Sequence, residues 1–167
     1  LLIVLLVGVQ WLIKPACSQS ITPERLGFEH HSLESHEHGT INYYLSSDMD
    51  ENQKPLLVYL DGSGPYPLFQ QLQEGYLGST VVIDFQSLMK EYRILLISKP
   101  GVPFADSVAS DENGFPVYPA PEAYQRKLSL DWRAGAASQV INAMVSSGEI
   151  DAGKIVVLGF SEGAQVA

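Results

Sequence analysis

Near the end of the chain an apolar run, Ile155-Val156-Val157-Leu158, leads straight into Gly159-Phe160-Ser161-Glu162-Gly163. A serine hydroxyl is a poor nucleophile unless it is held clear of the surface, next to a base and beside donors that take up charge on an oxyanion. Glycines two before and two after the serine let a strand end, the chain turn sharply and a helix start at once. The serine then sits in a strained backbone conformation that only small neighbours tolerate. This is the pattern of a nucleophile elbow. Ala164-Gln165-Val166-Ala167 suits the helix that should follow, whose first amides and positive dipole end would face charge developing on a substrate. Ser161 is the expected nucleophile, and the backbone N–H of Glu162 one expected oxyanion donor. The plain alternative is a glycine-containing turn between a strand and a helix.

The elements that must position this turn are legible upstream. Residues 28–33 and 40–45 are strand candidates divided by the polar Glu34-Ser35-His36-Glu37-His38-Gly39, which predicts a hairpin. Pro55-Leu56-Leu57-Val58-Tyr59-Leu60 is nearly continuous in its hydrophobicity, as expected of a strand buried on both faces of a parallel sheet. A helix is expected over 84–91, a strand over 92–98, a long Pro-, Gly- and acid-rich loop over 102–121, and a helix over 129–147. In that last helix Trp132, Ala136, Val140 and Met144 recur every four residues, a core stripe, and Gly148 stands where a glycine cap belongs. Hairpin, strand, helix, strand, helix, strand, elbow is an α/β order.

With these residues in place, the chain from about 28 to 167 resembles the N-terminal half of the α/β-hydrolase superfamily. Two further segments carry the likeness. The loop Asp61-Gly62-Ser63-Gly64-Pro65 follows the strand that would be the family's third, where a glycine motif supplies the second oxyanion donor; here that donor would be the backbone N–H of Ser63. Asp61 stands where the family more often has histidine, and an ordinary glycine turn is the plain reading of this loop. Ile97-Ser98-Lys99-Pro100-Gly101 resembles the fourth strand and its turn. Within the superfamily the elbow is most similar to exported bacterial hydrolases related to prolyl oligopeptidases and serine aminopeptidases.

The resemblance implies a mostly parallel sheet with flanking helices, and residues 19–167 as a partial domain truncated after the elbow. It also implies hydrolysis of an ester, thioester or peptide bond through an acyl-enzyme on Ser161, with a small-molecule or peptide substrate and no metal or organic cofactor. The family's acid and histidine follow the nucleophile in chain order, so neither is expected in this stretch, which alone should be inactive. Tyr66, Pro67 and the 102–121 loop follow strand ends and are candidates to face substrate. An acyltransferase on the same fold, or a non-catalytic binding module, is the competing reading.

The opening Leu1-Leu2-Ile3-Val4-Leu5-Leu6-Val7-Gly8-Val9 reads as the core of an exported protein's signal peptide, N-terminally incomplete and extending over 1–18, with Ala16-Cys17-Ser18 as small residues before cleavage. A lipoprotein acylated at Cys17, an uncleaved anchor and a buried N-terminal element are the alternatives. The run is too short to predict a stable membrane span. A periplasmic, extracellular or cell-surface location follows from the leader. A net charge of −9 speaks against nucleic acid and anionic membrane surfaces, both of which reward clustered Lys and Arg, and a single cysteine rules out an internal disulfide framework. Nothing in the pattern predicts an oligomeric state. His30, His31, His36 and His38 cluster in the hairpin; a zinc site there competes with the favoured reading of ordinary histidines on a solvent-facing turn.

Overall fold

The computed structural model describes residues 20–47 and 54–167; the expected leader over 1–18 lies outside the described residues. Alternation of side chains along a strand separates the core into two layers. Leu56, Val58 and Leu60 face one side of strand β3 (Leu56–Leu60), while Leu57 and Tyr59 face the other. All five are buried, as the continuous apolar run predicts. Strands β1 (Phe28–Ser35) and β2 (Gly39–Ser46) form the expected hairpin. Between β3 and the next central strand lie two short pieces, β4 (Phe69–Gln71) and β5 (Leu77–Ser79), and a one-turn helix α1 (Phe85–Leu88), which fills only part of the expected 84–91 helix. Central strand β6 (Arg93–Ile97) follows.

The 102–121 segment is not a plain loop. It contains β7 (Ala105–Ser107), which pairs in parallel alongside β4, and a small hairpin of β8 (Ala109–Ser110) with β9 (Pro116–Val117). These pieces run two or three residues, too short for a period to show in sequence. Helix α2 (Glu122–Lys127) comes next and is likewise not expected from the residue pattern. Helix α3 (Leu130–Ser146) starts on the Ser129 hydroxyl, which accepts the Trp132 N–H at 3.0 Å. It ends with Gly148 in the left-handed region (φ 79°), its N–H bonded to the Val145 carbonyl and that of Glu149 to the Met144 carbonyl. Strand β10 (Ile155–Gly159) and helix α4 (Gly163–Val166) close the order.

The main sheet runs β1-β2-β6-β3-β10, with β6, β3 and β10 mutually parallel and β2 antiparallel to both its neighbours. The fold is therefore α/β with a mostly parallel sheet. Trp132, Ala136, Val140 and Met144 of α3 are all buried against one face, over Leu56, Val58, Leu60 and Leu95. The other face is covered by Phe28, Phe69, Phe104 and Val81, with Phe104 packed on Tyr44 at a ring separation of 4.5 Å. Strand β10 is the described edge of the sheet, and Val156, Val157 and Leu158 are exposed there, where the apolar run suggests a buried strand. Among the described residues no helix is long and apolar enough to cross a membrane.

One member of the histidine cluster departs from expectation, while His30 and His36 are exposed as expected. His38 is buried, not solvent-facing: its ring lies over Gly135 of α3, its Nδ1 is 3.1 Å from the Gln139 amide nitrogen, and its carbonyl accepts the Trp132 indole N–H at 3.1 Å. The hairpin turn is thereby clamped to the long helix. Among the described residues no group of three or more His, Cys, Asp or Glu is placed to hold a metal ion.

Candidate active site

Parallel strands β3 and β10 lie side by side in the register Leu60 with Gly159, so the segments that leave their C-terminal ends leave together. The Phe160 N–H donates to the Leu60 carbonyl at 2.9 Å and carries the pairing one residue past the strand. The chain then turns through Ser161, whose φ is +54°; among the described residues no other non-glycine has a positive φ. That conformation costs an ordinary L-residue on the order of 1–2 kcal/mol and persists only where the surroundings enforce it.

The enforcement is steric. A Cβ on Gly159 would stand 2.3 Å from the Gly163 carbonyl oxygen, and one on Gly163 would stand 2.1 Å from the Leu60 carbonyl oxygen. Only glycine lets the start of α4 fold back this closely onto β10 and β3. Helix α4 takes up the Gly163, Ala164 and Gln165 amides, which donate to the carbonyls of Phe160, Ser161 and Glu162. The Glu162 amide precedes them at the N-cap, where an N–H has no intrahelical acceptor.

The loop after β3 comes directly to the serine. A Cβ on Gly62 would lie 3.2 Å from the Ser161 Cβ and 3.5 Å from the Phe160 ring, so Gly62, the residue before Ser63, is packed against Ser161. The structure thus brings the elbow residues Ser161 and Glu162 together in one corner with the loop that carries Gly62 and Ser63, the contact being made by Gly62. Tyr66 sits just beyond, its ring close over Gly64 and its hydroxyl donating to the Pro116 carbonyl at 2.8 Å, which ties the β8–β9 hairpin to this corner. Pro67 is fully buried and does not face substrate. Among the described residues none of the four histidines is bonded to Ser161; His30 is 3.0 Å from the Asn42 side-chain oxygen and His38 is held on α3.

Beneath the corner lies a charge network that the residue pattern does not announce. Asp61, only 3 % exposed, receives the Lys99 Nζ on Oδ2 at 2.5 Å and the Arg133 Nη2 on Oδ1 at 2.8 Å. The same Nη2 donates to the Asp61 carbonyl at 2.7 Å, and Nη1 reaches the Glu162 Oε1 at 2.9 Å. Two cations and two carboxylates from β3, β6, α3 and the elbow are thus joined. Burial holds the Lys99 amine below the usual lysine range, although the Asp61 charge pulls it back. Tyr124 of α2 is held above the usual phenol range, by burial first and then by the Glu162 charge. Asp61 stands at the centre of this network, its buried carboxylate held between the two cations. The signal in the sequence is a lone Asp at the end of a buried strand, with Lys99 at the end of the next.

No protein-family model matches the chain, and no curated protein matches it. Among solved structures it is similar to the esterase Est22, at 16 % identity and a TM-score of 0.46 over 83 % of this chain and 36 % of that one. It is also similar to a glucuronoyl esterase from Solibacter usitatus, at 10 % identity and a TM-score of 0.43 over 93 % of this chain and 50 % of that one. The chain therefore spans about a third to a half of the length of these structures.

Proposed function

We propose that Ser161 is the nucleophile of a serine hydrolase that cleaves an ester, thioester or peptide bond. The observation that carries this reading is the strained Ser161 backbone, held at φ +54° by glycines on both sides and set against Gly62 of a second loop. A serine in a structural turn has no need of this conformation, whereas a nucleophile does, because it projects Oγ away from the sheet and beside backbone donors.

In the proposed reaction Oγ attacks the substrate acyl carbon as its proton passes to a base outside the described residues. The new C–O bond forms while the carbonyl electrons move onto oxygen, and the Ser63 and Glu162 amides hold that oxyanion. Collapse of the intermediate expels the leaving group with a proton and leaves an acyl-enzyme, which water then hydrolyses. Exported location, and 19–167 as part of a larger hydrolase domain, belong to the same proposal; so does a small-molecule or peptide substrate handled without metal or organic cofactor.

The test is covalent labelling of the full-length protein with a fluorophosphonate probe. Labelling that is lost in Ser161→Ala supports the reading. Absence of labelling, or labelling that persists in Ser161→Ala, overturns it.

A further inference from the structure

We infer that Arg133 is a positioning residue that aligns the two oxyanion donors with each other, with Glu162 acting through its side chain as the second half of the clasp. The inference rests on the proposed role of Ser161 and deepens it. An oxyanion hole made of two backbone amides works only if both point at one spot, about 2.7–3.1 Å away. Here the two amides belong to different segments. That of Ser63 lies two residues beyond Asp61 on the loop after β3, and that of Glu162 lies on the elbow after β10.

Arg133 reaches both segments from a third element. Its Nη2 holds the Asp61 carbonyl and carboxylate, and its Nη1 holds the Glu162 carboxylate. Gripping the Asp61 carbonyl sets the orientation of the peptide that leads into Gly62 and Ser63. Gripping the Glu162 side chain sets the residue whose own amide is the other donor. A planar fork with several fixed N–H groups can span two acceptors in this way, whereas an ammonium is a point charge that would hold one segment and release the other. Lys99 secures the remaining Asp61 oxygen from the turn after β6, so the carboxylate cannot swing away from the arginine.

The energetics agree with a task of alignment. A buried group of charges is often no more stable than apolar residues of the same volume. Arg133 sits in helix α3 among Trp132, Ala136, Ala137 and Val140, where an apolar side chain would pack with less desolvation. Its three bonds all go to the two donor-bearing segments.

The experiment uses the full-length protein, with p-nitrophenyl acetate as substrate and a fluorophosphonate to count active sites. Arg133→Lys and Glu162→Ala are compared with the wild type, singly and together. The expected result is a fall in kcat per titrated site of about 10- to 100-fold in each single variant, less than the roughly 100- to 1000-fold of losing a donor outright, because both amides remain and only their alignment is lost. KM should stay within about threefold, because the interaction acts in the transition state. The double variant should be little worse than either single one, since both break the same clasp. A role in folding alone would lower the number of titratable sites and leave kcat per site unchanged, which overturns the inference. So would effects in the two variants that simply multiply. Glu162 is partly exposed, so Glu162→Ala tests the clasp even where Arg133→Lys folds poorly. A wild-type protein that neither labels nor turns over would instead sink the serine-hydrolase reading, and the clasp with it.

Discussion

Gly163 and Leu60 approach so closely that a Cβ on the glycine would stand 2.1 Å from the Leu60 carbonyl oxygen. A methyl group there cannot be absorbed by a side-chain rotation, because the obstacle is the backbone of a central strand. Gly163→Ala should therefore push α4 off β3, cost about 1–3 kcal/mol of stability as overpacking does, and displace Ser161. Denaturant unfolding combined with fluorophosphonate labelling checks both parts. A variant with unchanged midpoint and labelling rate would show that the contact is not a constraint.

Ser161 stores strain that serves the proposed chemistry and not stability. Glycine adopts φ +54° without a Cβ penalty. Ser161→Gly is expected to be more stable than Ser161→Ala by about 1 kcal/mol, although neither can be acylated. Thermal midpoints of the two variants measure the difference; equal midpoints would mean that the turn is relaxed.

The buried network should respond unequally to loss of its members. Asp61→Asn leaves Lys99 and Arg133 close together without the carboxylate between them, and a cost of about 3–5 kcal/mol is expected. Lys99→Met removes the cation whose charged form burial already disfavours, so the loss should be smaller. Urea unfolding of the two variants at neutral pH decides whether the order holds.

His38 and Gly135 form the joint between the β1–β2 hairpin and α3. A Cβ on Gly135 would stand 2.2 Å from the His38 Nε2, and the ring has little freedom to retreat because Gln139 and Ser35 flank its other nitrogen. Gly135→Ala should lower stability by about 1–3 kcal/mol, and trimming the histidine in a Gly135→Ala, His38→Ala double variant should recover part of it. Additive losses in a double-mutant cycle would argue that the two residues do not meet.

Tyr118, next to strand β9, offers a pH readout. Its hydroxyl donates to the Asp106 carboxylate at 2.6 Å, and partial burial together with that bond pushes its pKa from 10.0 up to about 12. Above pH 10 an unfolded tyrosine loses its proton while the folded one keeps it, so the folded state then binds more protons. The contribution to stability is complete below pH 10 and declines as the pH rises toward 12. Ultraviolet titration should show a late-ionising tyrosine component that is lost in Tyr118→Phe and moves toward the ordinary value in Asp106→Asn.

Strong local patterns make some elements legible in the residues themselves. Five apolar residues in a row form the doubly buried strand β3, the four-residue stripe of α3 forms its core face, and the elbow glycines make the close contacts around Ser161. Strands β4, β7, β8 and β9 are not legible in this way, since two or three residues hold no period and their pairing is decided by partners far along the chain. His38 escapes for a related reason. A histidine in a polar turn looks solvated until a helix about a hundred residues later presents a glycine for it to cover.

The α/β order, the nucleophile candidate and the two loops proposed to supply oxyanion donors can be read from the residues alone, because strand and helix periods and glycine spacing are local properties of the chain. That Asp61, Lys99, Arg133 and Glu162 meet is visible only once the chain is folded. These residues lie as much as 101 positions apart, and each alone looks like an ordinary surface charge. Their meeting follows from β3 pairing with both β6 and β10 while α3 packs across the same sheet face. That arrangement is set by the global burial of apolar surface, which no short window of sequence contains.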